Sequence, residues 1–174
     1  VLRRRQRQMC IRDSINAFFE NFWQAKLSTK PGLTVVEIMD AIIDNKIKGL
    51  YIMGENPAMS DPNLNHARKA LASLDHLVVQ DIFLTETAML ADVILPASAF
   101  PEKTGTFTNT DRRVQLGRQA VNPPGDAKQD LWIIQEIARG MGLNWNYNSP
   151  KDVFSEMTQC MPSCLLYTSD AADD

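Results

Sequence analysis

The sequence predicts an α/β fold, in which a parallel sheet carries helices on both of its faces. Short apolar runs of strand character alternate along the chain with segments of helical periodicity, and short connections join them. Such alternation is typical of a parallel sheet, because each strand is reached through a helical crossover. The 174 residues suffice for one domain, and a hydrophobic share of 44% is ordinary for a globular protein.

The first predicted helix and strand lie between residues 34 and 53. Residues 15–29, which are rich in aromatic side chains, are expected to be helical or irregular. Thr34 is expected to cap a helix, because apolar side chains recur after it at helical spacing: Val35, Ile38, Met39, Ile42 and Ile43. Residues 49–53 form a short apolar run that ends at Gly54, which predicts a buried parallel strand.

The same alternation continues as far as Pro96. A polar loop over 54–62 leads to a helix over 63–74, a second strand over 77–80, a short helix over 85–91 and a third strand over 93–95. Because each helix lies between two strands, the connections favour parallel pairing of neighbouring strands.

Beyond Pro96 the pattern is looser. Residues 102–113 are polar and long for a loop in a compact domain, and such loops are often functional. Their arginines could pair with phosphate or carboxylate, although a solvated charge run is the commoner outcome. A helix is predicted over 130–141, and its apolar side consists of Leu131, Ile134, Ile137, Ala138 and Met141. A last short helix is predicted over 150–157.

The two ends, residues 1–14 and 164–174, are expected to be disordered tails derived from a sequencing adapter. Met9–Ser14 can be coded as atg tgt ata aga gac ag, and the reverse complement of that string, read one base in, codes Cys164–Thr168. Two unrelated tails would not mirror each other in this way, whereas an inverted adapter translated at both ends of an insert would. A basic nucleic-acid-binding arm is the alternative for the first tail. Residues 15–163 are therefore the predicted domain, and the chain is expected to be a fragment.

Composition argues against several classes of protein. A formal charge of −3 gives no basic face, so we expect no nucleic-acid partner. No apolar run approaches the roughly 20 residues that cross a bilayer, and no export signal is present, so we expect no membrane insertion and a cytoplasmic location. The three cysteines are Cys10, Cys160 and Cys164; none lies near a histidine, which argues against a structural zinc site.

Polar residues follow each predicted strand, where loops and helix N-termini converge in parallel sheets. After the first strand, Gly54 permits close backbone approach to a ligand, and Asn56 and Ser60 can hydrogen-bond phosphate or ribose. Glu55 lies in the same loop. A plain turn with a capping side chain explains this loop equally well.

The later strand ends offer a second set of candidates. Gln80 and Asp81 end the second strand, where a carboxylate suits a ribose or the N–H edge of a purine, or else caps a turn. Thr85 is more simply explained as a helix cap, as is Thr87. Ala97 follows Pro96, and its small side chain either leaves room for a ligand or merely ends the strand.

Asp130 begins the predicted helix over 130–141, where a side-chain cap is the simpler interpretation. The sequence contains no GxGxxG, no P-loop lysine motif, no paired catalytic carboxylates and no Ser/His/Asp order. The residues alone therefore predict a partial nucleotide-binding domain of Rossmann or flavodoxin-like type.

Five stretches resemble the molybdopterin oxidoreductase family, in order and at consistent spacing: 47–57 (IKGLYIMGENP), 77–85 (LVVQDIFLT), 91–96 (ADVILP), 105–109 (GTFTN) and 130–132 (DLW). Within that family the sequence is most similar to the catalytic subunits of soluble, NAD-linked formate dehydrogenases. The resemblance implies one of two related domains that each hold a guanine dinucleotide arm of a bis-molybdopterin cofactor. The family's dinucleotide contacts fall on Asn56, Ser60, Gln80, Asp130 and, as a small residue, Ala97. Gly54, Glu55, Asp81 and Thr85 are expected to line the same crevice.

The resemblance also implies a reaction and partners. The family's reaction would be two-electron oxidation of formate to carbon dioxide at molybdenum or tungsten, with 4Fe-4S clusters carrying the electrons onward. The metal-ligating and substrate-binding residues normally lie upstream, so no residue of this chain is expected to be catalytic. Expected partners are the remaining domains of the same subunit and electron-transfer subunits with iron-sulfur clusters and flavin.

The sequence leaves two alternatives to a formate dehydrogenase domain. The homologous large iron-sulfur subunit of respiratory NADH dehydrogenase uses such domains as scaffolds without molybdenum chemistry. A flavodoxin-like module would instead bind flavin stoichiometrically.

Overall fold

The computed structural model describes residues 15–160, so the expected tails lie outside the described residues and their origin stays a prediction. Residues 15–23 form helix α1, in keeping with one of the two expectations for that segment. The other helices are α2 (Val35–Ile43), α3 (Pro57–Ser60), α4 (Leu64–Ala72), α5 (Asp130–Gly140) and α6 (Pro150–Cys160). The strands are β1 (Gly49–Met53), β2 (His76–Asp81), β3 (Val93–Pro96), β4 (Gly105–Thr108) and β5 (Val114–Gly117).

Strands β1, β2 and β3 form a parallel sheet in that order, which confirms the predicted fold class. Strand β1 has the predicted limits, and β2 and β3 extend the predicted strands by one residue at one or both ends. Met53 pairs with Gln80, and Gln80 pairs with Leu95, so the three carboxyl ends are level with one another. This register brings the loops after the three strands to one edge, which we call the strand-end edge.

Helices α2 and α4 bury their apolar sides on one face of the sheet. Thr34 caps α2 as expected, and its hydroxyl and the Glu37 carboxylate form a reciprocal capping box. The buried core joins these helices to β1 and β2 through Met39, Ile42, Ile52, Ala58, Ala67, Ala70, Leu71, Leu77, Val79 and Ala88. Burial of this apolar surface holds the sheet and the two helices together.

The opposite face of the sheet is covered less completely. Alternation along the strands places Tyr51, Met53 and Val93 on this face, and all three side chains are exposed. Gln80 lies on the same face and is fully buried, because the first turn of α5 reaches it through Asp130. At the strand-end edge this face of the sheet contacts α5 through the hydrogen bond between Gln80 and Asp130, and not through an apolar layer.

The prediction of a polar loop over 102–113 is wrong in part. Gly105–Thr108 pairs in antiparallel fashion with Val114–Gly117, and a turn at Asn109–Arg113 joins the two strands. Arg112 in this turn has a φ of 66°, in the left-handed region. Threonines that alternate with Gly105 and Phe107 suit a short strand, but four residues give little periodicity to read.

Three smaller predictions need correction. The loop predicted after β1 contains the short helix α3, and the helix predicted over 85–91 is a 3₁₀ turn at Ala88–Leu90. Helix α5 buries Ile133, which lay outside the predicted apolar side, whereas Met141 is 76% exposed. The helix ends at Gly140, so Met141 lies beyond the turn that packs.

Within residues 15–160, no helix combines the length and the apolar character that crossing a bilayer requires.

Candidate functional site

The strand-end edge is held together by backbone hydrogen bonds between the loops. The Gly54 N–H donates to the Gln80 carbonyl at 2.9 Å, which ties the loop after β1 to the end of β2. The Ala97 N–H donates to the Asp81 carbonyl at 3.0 Å, which ties β3 to the same end of β2. The residues predicted after the three strands therefore lie on neighbouring strands of one edge.

Gln80 and Asp130 form the central polar contact of this edge. The Gln80 amide Nε2 donates to Asp130 Oδ1 at 2.7 Å, and the Tyr51 hydroxyl donates to Gln80 Oε1. The Lys103 ammonium forms an ion pair with Asp130 Oδ2. Tyr51, Gln80, Asp130 and Lys103, which we call the polar chain, thus connect β1, β2, α5 and the loop before β4.

The charge of Asp130 acts on Tyr51 across the polar chain. Burial raises the pKa of Tyr51, and the negative charge of Asp130 raises that pKa further. Asp130 is the first residue of α5, whose cap is Gln129, without a side-chain cap bond. The simple capping interpretation of Asp130 is therefore wrong, because both carboxylate oxygens accept from side chains of other elements.

Asn56 organises the loop after β1. Its Oδ1 accepts from the Thr87 N–H at 3.1 Å and from the Thr87 hydroxyl at 2.7 Å. Its Nδ2 donates to Glu86 at 2.7 Å, and this hydrogen bond lowers the pKa of Glu86. The buried Thr87 hydroxyl also accepts from the Ala58 N–H at 3.0 Å, so Thr87 bridges two loops and is not a helix cap.

Gly54, Glu55 and Ser60 complete that loop. Gly54 has a φ of 64°, and the space that a Cβ would enter is open, so glycine is required by conformation and not by crowding. Glu55 Oε1 accepts from the Ser60 hydroxyl at 2.9 Å and from the Asn56 N–H at 3.2 Å. These bonds fix the loop in one arrangement.

The remaining predicted residues have local partners. Asp81 Oδ1 accepts hydrogen bonds from the N–H groups of Ile82 at 2.6 Å and Phe83 at 3.2 Å. These are the bonds of an aspartate that stabilises a turn. The Thr85 hydroxyl accepts from the Ala88 N–H at 3.2 Å, which confirms its capping role. Ala97 is buried and is followed by Ser98, whose buried hydroxyl has no hydrogen-bond partner within residues 15–160.

The predicted residues therefore form two adjoining groups. One contains Gly54, Glu55, Asn56 and Ser60, and the other contains Gln80 and Asp130. A concavity of about 410 Å³ lies along α5 and is lined by other residues, including Lys128, Trp132 and Tyr147. Asn56, Gln80 and Asp130 do not line this concavity, and the crevice expected between them stays a prediction.

Sequence reasoning missed Tyr51 and Lys103. Tyr51 lies inside the apolar run of β1, so nothing in the pattern sets it apart as a polar partner. Lys103 belongs to the polar stretch over 102–113, which its length marks as a functional candidate, but its partner Asp130 is 27 residues away. Neither pairing is visible without the fold.

Residues 15–160 contain no cluster of three or more His, Cys, Asp or Glu side chains that could hold a metal ion. Cys160, at the end of α6, is a half-buried free thiol.

The fold and the site together define a parallel α/β domain with polar groups gathered at its strand-end edge. A model of the molybdopterin oxidoreductase family matches residues 7–140. The chain belongs to the molybdopterin oxidoreductase family.

Two curated relatives give this assignment its detail. The chain is 57% identical over 146 residues to the F420-dependent formate dehydrogenase subunit alpha of Methanocaldococcus jannaschii, which covers 83% of the chain and 22% of that protein. It is 51% identical over 150 residues to the putative formate dehydrogenase YrhE of Bacillus subtilis, which covers 86% of the chain and 15% of that protein. The chain therefore spans about a fifth of these relatives.

A solved structure shares the fold. Acetylene hydratase from Pelobacter acetylenicus is 31% identical, with a TM-score of 0.57, and the match covers 62% of the chain and 16% of that structure. A protein named for a hydration thus shares this domain with proteins named for formate oxidation.

Proposed function

We propose that this chain is part of a molybdopterin-dependent formate dehydrogenase and that it holds one guanine dinucleotide arm of a bis-molybdopterin cofactor. The relatives named as formate dehydrogenases at 57% and 51% identity support the parent reaction, the two-electron oxidation of formate to carbon dioxide. They also favour this parent over a scaffold subunit of NADH dehydrogenase. A domain shared with a hydratase supports a holding role for the segment itself.

The Gln80–Asp130 contact carries the proposal. The N1–H and 2-amino groups of guanine are two neighbouring donors, and a carboxylate can accept both. Asp130 presents a carboxylate at the start of α5, where it already accepts two N–H donors from Gln80 and Lys103. A guanine edge would meet the same oxygen atoms, while Gln80 keeps the carboxylate oriented.

Other residues of the strand-end edge are also suited to binding a nucleotide. The open space at Gly54 allows the backbone to approach a ligand, and the unpartnered Ser98 hydroxyl beside Ala97 can accept a new hydrogen bond. The proposed cofactor-binding residues are Gly54, Glu55, Asn56, Ser60, Gln80, Asp81, Thr85, Ala97 and Asp130. None of them is a proposed catalytic residue.

This chain would hold the cofactor in position and would take no part in the chemical reaction. When bound, the cofactor supplies the molybdenum or tungsten that takes up two electrons, and 4Fe-4S clusters elsewhere in the subunit pass them on. Gln80, Asp130 and Asn56 would hold the nucleotide end, and the strand-end loops would exclude water around it. Two relatives are named subunit alpha, which supports further subunits as partners. We propose that these subunits carry iron-sulfur clusters and flavin.

Two substitutions in the full-length subunit test the proposal. Asp130→Asn removes one charge and keeps the shape, and Gln80→Leu removes both hydrogen bonds to the polar chain. We expect each variant to retain several-fold less pterin, guanine nucleotide and metal per subunit, because a lost charged hydrogen bond costs about 1.5–3 kcal/mol. Asp126→Asn, an exposed carboxylate close in sequence, is the matched control.

The readout separates binding from folding. Pterin and metal are quantified on subunit that elutes as folded protein, and the thermal unfolding of each variant is recorded beside it. Full pterin and metal occupancy in both Asp130→Asn and Gln80→Leu would refute the proposed role.

A further inference from the structure

The concavity along α5 lies on the side of that helix that is turned away from the polar chain. Trp132 and Gln135 line the concavity, whereas Asp130 binds Gln80 and Lys103. Successive residues of an α-helix are about 100° apart around its axis, so Trp132 and Gln135 lie roughly 200° and 140° away from Asp130. The concavity is therefore a second site, separate from the proposed nucleotide contacts.

Gln135 brings a free hydrogen-bond donor to this concavity. The residue is only 6% exposed, and its Oε1 accepts from the Tyr147 N–H at 2.6 Å. That bond decides which end of the amide faces Tyr147, because only the oxygen can accept. Within residues 15–160 the Nε2 of Gln135 has no hydrogen-bond partner. A donor in a largely buried side chain is costly without a partner, so the site favours an acceptor atom from outside these residues.

Tyr147 keeps this arrangement in place. Its hydroxyl donates to Glu156 Oε2 in α6 at 2.5 Å, and its ring lies edge-on to that of Trp145, with 6.3 Å between the centroids. The N–H that orients Gln135 is thus anchored to a neighbouring helix. Gln135 cannot turn its Nε2 toward Tyr147 without losing the bond at Oε1.

Two further amide side chains line the concavity. Gln129 and Asn148 both belong to its wall, and neither side chain has a hydrogen bond within the described residues. A side-chain amide carries an acceptor oxygen and a donor nitrogen, as a peptide group carries a C=O and an N–H. Three amides in one wall therefore match the backbone of an extended polypeptide segment.

Lys128 and Trp132 add a charge and an apolar surface. The Lys128 ammonium lies over the Trp132 ring, 5.8 Å from the centroid, and it forms no ion pair within residues 15–160. The backbone of Lys128 bonds to Ser98 at the strand-end edge, but its side chain is turned to Trp132. No carboxylate of the described residues lines the concavity. An acidic side chain that enters it would meet a cation and no opposing charge.

We propose that this concavity is the docking site of an extended, acidic polypeptide segment that belongs to the rest of the same subunit. A backbone carbonyl of the segment accepts from Gln135 Nε2, and its carboxylate pairs with Lys128. The Trp132 ring, which is 49% exposed, packs on the segment as aromatic side chains do in grooves that bind extended peptides. The two curated relatives are several times longer than this chain, which covers 22% and 15% of them, and that length supplies the occupant. The inference goes beyond the proposed nucleotide role and does not depend on it.

Photocrosslinking in the full-length subunit, purified with its partner subunits, identifies the occupant. Trp132 is replaced by p-benzoyl-phenylalanine, which keeps an aromatic side chain at that position, and crosslinked peptides are identified by mass spectrometry. We expect one dominant crosslink, to a segment of the same subunit that lies outside residues 15–160 and contains Asp or Glu. No crosslink, crosslinks only within residues 15–160, or a crosslink to another subunit would overturn the proposal.

Hydrogen exchange of the crosslinked segment, measured in the subunit with Trp132 in place, then tests the contacts. Gln135→Glu keeps an oxygen for the Tyr147 N–H but replaces the free donor by a carboxylate oxygen, which repels a carbonyl and an acidic side chain. We expect the amides of the segment to exchange roughly tenfold faster, as the loss of one hydrogen bond predicts. Lys128→Met removes the cation and should also speed exchange, and it serves as the test if Gln135→Glu does not fold.

Gln115→Glu is the matched control. Gln115 is exposed in β5 and lies outside the concavity, and its Oε1 accepts from Asn109 Nδ2 at 2.9 Å. The same substitution there also keeps an accepting oxygen and adds the same charge. Exchange of the segment in Gln115→Glu should equal that in the unchanged subunit. Equal exchange rates in Gln135→Glu and Gln115→Glu would show that Gln135 holds no segment, and the docking site would be wrong.

Discussion

Gln80 illustrates how one residue gains its role from its surroundings. It is an uncharged side chain at the end of the central strand, and it is fully buried. A buried amide is costly unless both of its polar atoms are hydrogen-bonded. Tyr51 and Asp130 provide those two bonds, so Gln80 fixes the direction of the Asp130 carboxylate.

Thr87 gives a prediction at the same scale. Thr87→Val keeps the side-chain shape but removes the hydroxyl that accepts from the buried Ala58 N–H and donates to Asn56. We expect a loss of about 1–3 kcal/mol in the free energy of unfolding, because a buried donor is left without a partner. Urea denaturation measures this loss.

Thr106→Val is the control for that experiment. Thr106 is exposed in β4, and its replacement should change the unfolding free energy by less than about 0.5 kcal/mol. Equal stability of the Thr87 and Thr106 variants would show that the bridge between the two loops contributes nothing.

At the scale of elements, the predictions succeeded where periodicity was strong. Helix α2, its Thr34 cap and strand β1 have the predicted limits, because each is defined by its own residues. The β4–β5 hairpin was missed, because two four-residue strands gain stability only from each other. The packed side of α5 was predicted only in part: Ala138 is buried as expected, whereas Ile133 is buried outside the predicted side and Met141 is exposed.

Strand β2 supplies a prediction for the core. Leu77 is 1% exposed and packs with α2 and α4, so Leu77→Ala should cost about 2–5 kcal/mol of unfolding free energy through lost burial and a cavity. Leu84, beyond the end of β2, is 66% exposed, and Leu84→Ala should change stability little. Chemical denaturation of both variants checks the difference, and similar losses would mean that the core has been placed on the wrong face.

At the scale of the whole molecule, much apolar surface faces outward. Large exposed side chains include Tyr51 and Met53 on the open sheet face and Ile82, Phe83 and Leu84 at the strand-end edge. Contiguous apolar surface of this kind marks contact with other protein parts. The chain spans 22% and 15% of the two curated relatives, which are several times longer.

That surface leads to a prediction for the isolated domain. Residues 15–160 produced alone should self-associate and bind an apolar-surface dye, whereas the full-length subunit should do neither at these positions. Sedimentation and dye fluorescence measure the two properties. Phe83→Ser combined with Leu84→Ser should reduce both in the isolated domain; a monomeric, dye-free unchanged domain would contradict the prediction.

The sequence by itself determined the α/β fold, the parallel sheet and the positions of the strand-end candidates. These features depend on periodicity and turn residues within short stretches, which a sequence displays directly. Only the tertiary structure decided which side chains meet. Asp130 receives Gln80 from 50 residues away and Lys103 from 27 residues away, and no local pattern encodes those distances. The partners of a carboxylate follow from how the strands and α5 pack, because packing alone brings distant donors within hydrogen-bonding range.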